Sequence, residues 1–305
     1  MSHRSRKRSV REHPLAAQGA GPYGITADAD GYLWVTLVHH GQIARMRPDG
    51  SATLYSLDSD TCAPSLITMG PDRSVWFTRS QDDRIGRITA TGETESFALP
   101  TPGARPFGVT AGPDGALWFT EMNTDRVGRL TPDGEVTVFP LPERGGFPSF
   151  ITAGPDGALY FTLNQADAIG RITTGGEVAL QPLPTGGAGP VGITAGSDGA
   201  LWFVEIAAGQ IGRLSTDGRI REFPLPQRDS RPHAIAADPE GGCWFSEWGA
   251  NRVGHISAEG DIDLFDLPTP SSEPHGITVT ADGTVWVALE SLRHRCQSGS
   301  RRNPP

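Results

Sequence analysis

Four side chains that can bind a metal ion or exchange a proton lie near the C-terminal end of the sequence. His233 and His275 are 42 residues apart, and each follows a proline. Glu273 lies two residues before His275, and residues i and i+2 of a strand share a face. Glu290 ends the next apolar segment. A neutral imidazole suits a general base near neutral pH, and glutamates offer the oxygen ligands that Mg²⁺ prefers.

A hairpin brings these groups together. A turn centred near Asp282 places Glu290 opposite the start of the preceding strand, beside His275. The equivalent hairpin of the preceding copy places Glu247 opposite His233. Cross-strand neighbours on one face have Cβ atoms about 5 Å apart. The sequence therefore predicts one site with two glutamates and two histidines, suited to Mg²⁺ rather than to zinc, whose usual sites have more nitrogen or sulfur ligands.

The elements that position this site come from an internal repeat of 42 residues. An aromatic side chain follows each of seven periodic prolines by twelve residues, the prolines being Pro22, Pro64, Pro106, Pro148, Pro190, Pro232 and Pro274. Each copy is typical of four short strands, with Asp-Gly turns that favour β-hairpins. Four antiparallel strands in roughly 40 to 45 residues indicate a propeller blade. The sequence predicts an all-β, seven-bladed β-propeller of four-stranded antiparallel blades.

The seven copies act as controls for one another, because a residue type found in several copies is best explained by the fold. Glu121, Glu205 and Glu247 share one repeat position, which favours a structural role for each. The pair His39 and His40 has no acidic signature nearby, and we interpret both as solvated. For the four C-terminal groups the structural alternative is a polar rim with hydrogen-bonded histidines. These four groups converge at a place where the other copies have no such residues, which favours a functional site.

The two ends of the chain are expected to meet. The segment Arg11–Leu15 resembles Arg221–Leu225 and lies in phase to form the outermost strand of blade seven, which would hide open sheet edges. A regular third strand does not follow Glu290 in the sequence. We divide the chain into a basic flexible N-terminus at residues 1–9, a single seven-bladed propeller domain at 10–292 and an irregular basic tail at 293–305.

Composition excludes several functional classes. The formal net charge of −9 argues against a nucleic-acid partner, whose phosphates require a basic surface. No stretch approaches 18 apolar residues, so we expect no membrane span. Three cysteines far apart in sequence favour neither a disulfide framework nor a zinc site. We expect a cytoplasmic monomer that acts on a small molecule.

At these residues the sequence resembles the streptogramin B lyases, also called virginiamycin B lyases. The resemblance runs from about Gly21 to Glu290, and its repeat body is shared with other propellers. The specific segments are Gly21–Ile25, Arg231–Ile235, Glu247–Asn251, Glu273–Ile277 and Trp286–Glu290.

The resemblance implies a role for each residue of the site. His275 would be the general base, and Glu273 and Glu290 would hold Mg²⁺. His233 would contact the substrate, and Tyr23 and Trp248 match aromatic positions of the family's binding face. The implied reaction opens a cyclic depsipeptide antibiotic by elimination at its threonyl ester and confers resistance. The irregular sequence after Glu290 departs from the family pattern, which continues into a regular third strand.

Two other functions remain open from the sequence. A propeller can present one face to a peptide or protein without catalysing any reaction. A metal-dependent lactonase or esterase on the same architecture would add water to its substrate. The sequence has no obvious ring of Asn and Asp residues to hold calcium on the axis, and no Ser or Cys nucleophile with its own base, so elimination is favoured.

Overall fold

The computed structural model describes residues 10–15 and 19–291, and the regular elements in this part are β-strands. The predicted basic N-terminus at 1–9 and tail at 293–305 lie outside the described residues. The described part contains no helix long and apolar enough to cross a membrane.

The strands follow one another in chain order around a ring. The first three blades comprise β1 (Pro22–Ala27), β2 (Leu33–Leu37), β3 (Gln42–Met46), β4 (Ala52–Ser56); β5 (Pro64–Met69), β6 (Val75–Arg79), β7 (Arg84–Ile88), β8 (Thr94–Ala98); and β9 (Pro106–Ala111), β10 (Leu117–Glu121), β11 (Arg126–Leu130), β12 (Val136–Pro140).

The remaining strands repeat this pattern until the last sheet. They are β13 (Pro148–Ala153), β14 (Leu159–Leu163), β15 (Ala168–Ile172), β16 (Val178–Pro182); β17 (Pro190–Ala195), β18 (Leu201–Glu205), β19 (Gln210–Leu214), β20 (Ile220–Pro224); β21 (Pro232–Ala237), β22 (Cys243–Glu247), β23 (Arg252–Ile256), β24 (Ile262–Asp266); and β25 (Pro274–Val279), β26 (Val285–Leu289).

The prediction of seven four-stranded blades is wrong. Across the described residues the structure has six four-stranded blades and one sheet of two strands, β25 and β26, which we call the seventh sheet. β25 packs between β21 and β1, so the seventh sheet lies between blade six and blade one. Residues 10–15 form no strand, and no described strand follows β26. The described residues end at Ser291, and the sequence after Glu290 lacks the apolar pattern of a third strand.

Blade three shows why these residues form a blade. Trp118 is fully buried, and its indole Nε1 donates a hydrogen bond of 3.0 Å to Asp114 in the hairpin turn. Arg129 on the neighbouring strand lies 2.6 Å from the same carboxylate. Phe139 of the outer strand stacks on Trp118 with ring centroids 5.5 Å apart. The repeated aromatic residue, here Trp118, therefore joins the strands of its blade.

Hydroxyl groups on the second strand of most blades join one blade to the next. Each such hydroxyl donates to the carbonyl of the second residue of the next inner strand, and we call these bonds latches. They run from Thr36 to Ser65, Thr78 to Phe107, Thr120 to Ser149, Thr162 to Val191 and Ser246 to His275. Val204 and Ala288 occupy the corresponding positions of blade five and the seventh sheet and have no hydroxyl.

The N-terminal segment contacts the seventh sheet although it forms no strand. Glu12 accepts hydrogen bonds from the backbone nitrogen of Thr269 at 3.1 Å and from its hydroxyl at 2.6 Å. Glu222 makes the same pair of contacts with Thr185 in blade five. His13 lies 5.7 Å from Trp286, between ring centroids. Residues 10–15 thus take over outer-strand contacts without strand pairing.

Candidate active site

The site forms where the inner strands begin, and a β-bulge sets its side chains. In the seventh sheet Pro274 pairs with Leu289 and Ile277 with Val287, so one extra residue is accommodated on β25 at His275 and Gly276. The same shift recurs in the other blades for which the register is described, for example at Tyr23 in blade one. Bulges re-aim side chains and are common beside active sites.

His275 is the centre of this group. Its side chain is buried, and its Nε2 lies 2.6 Å from Glu290 Oε2. This contact is close but not aligned as a hydrogen bond, and neither ring nitrogen has a hydrogen-bond partner among the described residues. The Tyr23 ring lies 4.5 Å from the imidazole, between centroids. A buried imidazole with an available nitrogen is suited to accept a proton from a bound molecule.

His233 lies beside His275 at a right angle. The two ring centroids are 4.6 Å apart, and the interplanar angle is 90°. Its Nε2 is 3.4 Å from the Tyr23 hydroxyl. Burial lowers the pKa of His233 to about 3, and the neighbouring His275 contributes in the same direction. The imidazole of His233 is therefore neutral at ordinary pH and suited to hydrogen bonding rather than to carrying charge.

Glu290 is shared by two imidazoles. Its Oε1 lies 3.1 Å from Nε2 of His39, and the Nδ1 of His39 is 3.0 Å from the Gly19 carbonyl oxygen. The close contact with His275 is the first cause that lowers the pKa of Glu290, and the charges of both histidines act in the same direction against the effect of burial. The carboxylate is therefore ionised where it meets His275.

The interpretation of His39 as a solvated residue is wrong for its ring nitrogens, since both have partners. The side chain is 52% exposed, yet it reaches from blade one to the seventh sheet. A signal was present in the sequence. The corresponding positions in the other six copies are Gln81, Asn123, Gln165, Ala207, Gly249 and Ser291, so the repeat comparison singles out this histidine.

The register of the last hairpin differs from the prediction by one residue. The bulge on β25 shifts the pairing, so that Leu289 rather than Glu290 lies opposite Pro274. The backbone nitrogen of Glu290 instead donates a hydrogen bond of 3.1 Å to the carbonyl of Glu273. The two glutamates are thus backbone neighbours across the hairpin, while only Glu290 contacts His275 through its side chain.

Glu273 has left-handed backbone geometry, with φ of 52°, as do the other six residues that precede the periodic prolines. It is half-buried, and its carboxylate has no hydrogen-bond or ion-pair partner among the described residues. No group of three or more His, Cys, Asp and Glu side chains is arranged to hold a metal in this part of the chain. The unpartnered carboxylate of Glu273, whose backbone bonds to that of Glu290, is the kind of ligand that fits Mg²⁺, which often takes one or two carboxylates and keeps several waters.

Glu247 does not join the site. It pairs across the sheet with Pro232, one residue from the predicted partner His233. Its side chain is fully buried and lies 2.7 Å from Arg252 Nε. Glu121 and Glu205 are likewise buried and hydrogen-bonded, to Thr124 and Gln210. These contacts agree with the structural interpretation of the shared position.

The two aromatic residues lie on opposite sides of His275. The Trp248 ring centroid is 6.2 Å from that of His275, and the Arg231 guanidinium lies 5.2 Å from the Trp248 ring centroid. Burial is the main cause that raises the pKa of Tyr23, and the charge of Glu290 adds to it. The Tyr23 phenol therefore stays protonated as a hydrogen-bond donor.

Comparison with known proteins identifies the family. The model of the virginiamycin B lyase family matches residues 8–293. The chain belongs to the virginiamycin B lyase family. Matches to curated members of this family are local. The virginiamycin B lyase of Saccharopolyspora erythraea is 56% identical over 58 residues, which is 19% of this chain and 19% of that protein. That of Streptomyces coelicolor is 53% identical over 48 residues, 15% of this chain and 16% of its own length. The chain thus spans about a fifth of the length of these relatives or less.

Solved structures in the virginiamycin B lyase family match over nearly the whole chain. The virginiamycin B lyase from Staphylococcus aureus is 45% identical with a TM-score of 0.87, covering 90% of this chain and 94% of that one. A streptogramin B lyase structure is 42% identical with a TM-score of 0.89, covering 92% and 94%. A catalytically inactive histidine-to-alanine variant of the Staphylococcus aureus enzyme, solved with quinupristin, is 45% identical with a TM-score of 0.88, covering 92% and 95%.

Proposed function

We propose that this protein is a lyase that linearises cyclic streptogramin B depsipeptides by Mg²⁺-assisted elimination at the threonyl ester, and so confers resistance to them. The observation that carries the proposal is the buried imidazole of His275, which lies against the ionised Glu290 through Nε2 and has no partner at Nδ1 among the described residues. Membership of the virginiamycin B lyase family and the quinupristin complex of a relative support the substrate class.

In this proposal His275 acts as the base. It removes the α-proton of the threonyl residue, and the electron pair of that C–H bond forms the Cα–Cβ double bond. The bond between Cβ and the ester oxygen breaks, and the carboxylate leaves. The product is a linear isomer of the substrate with one dehydrated residue, and the proton on His275 returns to solvent. Glu290 stabilises the protonated imidazole because it lies in contact with Nε2.

The α-proton beside an amide carbonyl is weakly acidic, so its removal needs stabilisation of charge on the carbonyl oxygen. Glu273 and Glu290 would hold Mg²⁺, which supplies Lewis acidity toward that oxygen when it is bound. His233, neutral because it is buried, would donate or accept a hydrogen bond to the substrate. Tyr23 and Trp248 flank the base and would contact apolar parts of the ring.

The test is mass spectrometry of a cyclic streptogramin B incubated with the protein and Mg²⁺. Elimination gives a ring-opened product with the mass of the substrate, whereas an esterase or lactonase would add one water. His275→Ala should abolish ring opening, and the exposed His40→Ala is the matched control. Binding of the antibiotic without any ring opening would overturn the proposal in favour of a binding propeller.

A further inference from the structure

Phe150 occupies a position at which most inner strands carry little or no side chain. It is the third residue of β13, one residue deeper than the level of His233 and His275. The equivalent residues around the ring are Gly24, Leu66, Gly108, Gly192, Ala234 and Gly276. A Cβ on Gly192 would come within 2.7 Å of the His233 carbonyl oxygen, so the neighbouring strand approaches too closely for a side chain. The glycines leave the space around the axis to Phe150.

The ring of Phe150 reaches across this space. It packs against four separate buried clusters, and these include inner-strand residues on different sides of the ring. Among them are Leu66 of blade two, Ile193 of blade five and Ile277 of the seventh sheet. A side chain from blade four can pack against all of these groups only if it lies near the axis of the central channel.

Phe150 also contacts the site directly. Its ring lies 5.8 Å from that of His233, edge to face at 80°, and 5.7 Å from that of Phe107 at 74°. The other groups that face His233 are Tyr23 and His275. Val191, at the level of His233 on the adjacent β17, is apolar.

The buried carboxylate of blade six is neutralised. On the adjacent β22 Glu247 is paired with Arg252 of β23. On the channel side, the side chain in contact with the His233 ring is that of Phe150.

We propose that Phe150 is a plug of the central channel and a positioning residue, which excludes channel water from the imidazole of His233. The plug gives the site an apolar floor. Nδ1 of His233 is buried without a hydrogen-bond partner among the described residues, which is consistent with a ring that water does not reach. Burial is the first cause that keeps the pKa of His233 low, in agreement with this geometry. The role as a positioning residue rests on the proposed lyase function, whereas the exclusion of water from His233 does not.

The experiment is an NMR titration of the histidine side chains of the full chain without substrate, with the His233 signal assigned from His233→Gln. Phe150→Ala should raise the pKa of His233 by about one unit or more, because water then reaches the ring. Phe150→Leu keeps the channel filled and should leave the value nearly unchanged. Leu66→Ala is the matched control, since Leu66 holds the same repeat position in blade two.

An unchanged pKa of His233 in folded Phe150→Ala would overturn the proposal that Phe150 excludes water. If Phe150→Ala does not fold, Phe150→Val, which also lacks the ring, should raise the pKa of His233 by the same amount. A rise of the same size in the pKa of His233 in Leu66→Ala would also contradict the proposal, because any cavity near the axis would then be enough to admit water. The titration needs no turnover, so a wild-type protein that fails to open streptogramins would remove the proposed function and leave this test intact.

Discussion

Blade six and the seventh sheet each place a glutamate beside a functional histidine, but only one of these glutamates reaches the site. Glu247 of blade six is fully buried and paired with Arg252 at 2.7 Å. Glu290 is 20% exposed and lies between His275 and His39. Leu289 fills the repeat position that Glu247 holds, since both pair with the periodic proline. A shift of one residue therefore turns a structural carboxylate into one that faces the site.

The substitutions Glu247→Gln and Glu290→Gln should have different effects: the first should lower stability, and the second should lower activity. Glu247→Gln leaves Arg252 without its counter-charge and should cost about 3 kcal/mol of unfolding free energy. Glu290→Gln removes the carboxylate beside His275 and should lower turnover about 100-fold or more. Its cost in stability should stay below about 1 kcal/mol because the residue is partly exposed. Urea unfolding and streptogramin turnover, measured on both variants, check this pair. Equal loss of activity in both would erase the distinction between the two carboxylates.

His233 should control part of the pH dependence of the unfolding free energy. The folded pKa of His233 is about 3, below its ordinary value near 6.5, so the unfolded chain binds the proton more readily. Unfolding free energy should therefore fall as the pH drops from about 6.5 to about 3, by up to about 1.4 kcal/mol per pH unit. His233→Gln should flatten this slope in denaturant titrations at several pH values, whereas the exposed His40→Gln should not. A slope that survives His233→Gln assigns it to other groups.

The latch from Ser246 to the His275 carbonyl joins blade six to the seventh sheet. Its loss should lower both stability and activity. Ser246→Ala should cost about 1 kcal/mol, the usual net value of one hydrogen bond. Thr162→Val removes the equivalent latch between blades four and five and should cost a similar amount. Only Ser246→Ala should also reduce turnover, because it loosens the strand that carries the base. Thermal unfolding and kcat measured on both variants test this; an equal effect on kcat would contradict it.

The smallest expected effect concerns His39. Its contact with Glu290 is half-exposed, and such pairs contribute about 1 kcal/mol or less. His39→Ala should lower turnover by about two- to fivefold, with His40→Ala unchanged. A loss as large as that of Glu290→Gln would show that the carboxylate depends on the loop of blade one.

Much of the fold was predictable because the repeat is regular. The period of 42 residues located the strand quartets of blades one to six, and the Asp-Gly turns marked their hairpins. The number of four-stranded blades was overestimated because seven prolines were counted as seven complete blades. The tail after Glu290 carries no apolar strand pattern, and Arg11–Leu15 resembles an outer strand yet takes over its contacts through Glu12 without pairing.

Some of the residues that meet at the candidate site could be singled out from the sequence, but their geometry could not. Repeat comparison singled out His233, His275 and Glu273, and the structure places the two histidines in contact. The bulge at His275 was not visible in the sequence, so the predicted pairing of Glu290 was displaced by one residue. His39 was missed because its partner lies more than 200 positions away, across the closure of the ring. The roles of these residues in catalysis and metal binding stay predictions.

The distribution of the latches divides the ring into two arcs. Latches join blades one to five in series and blade six to the seventh sheet, but Val204 and Ala288 leave two seams without a latch. The carbonyls next to these seams belong to His233 and Tyr23, the pair whose side chains meet across the mouth. The short arc carries both histidines and both carboxylates of the candidate site, so the Ser246 latch joins the two sheets that hold them.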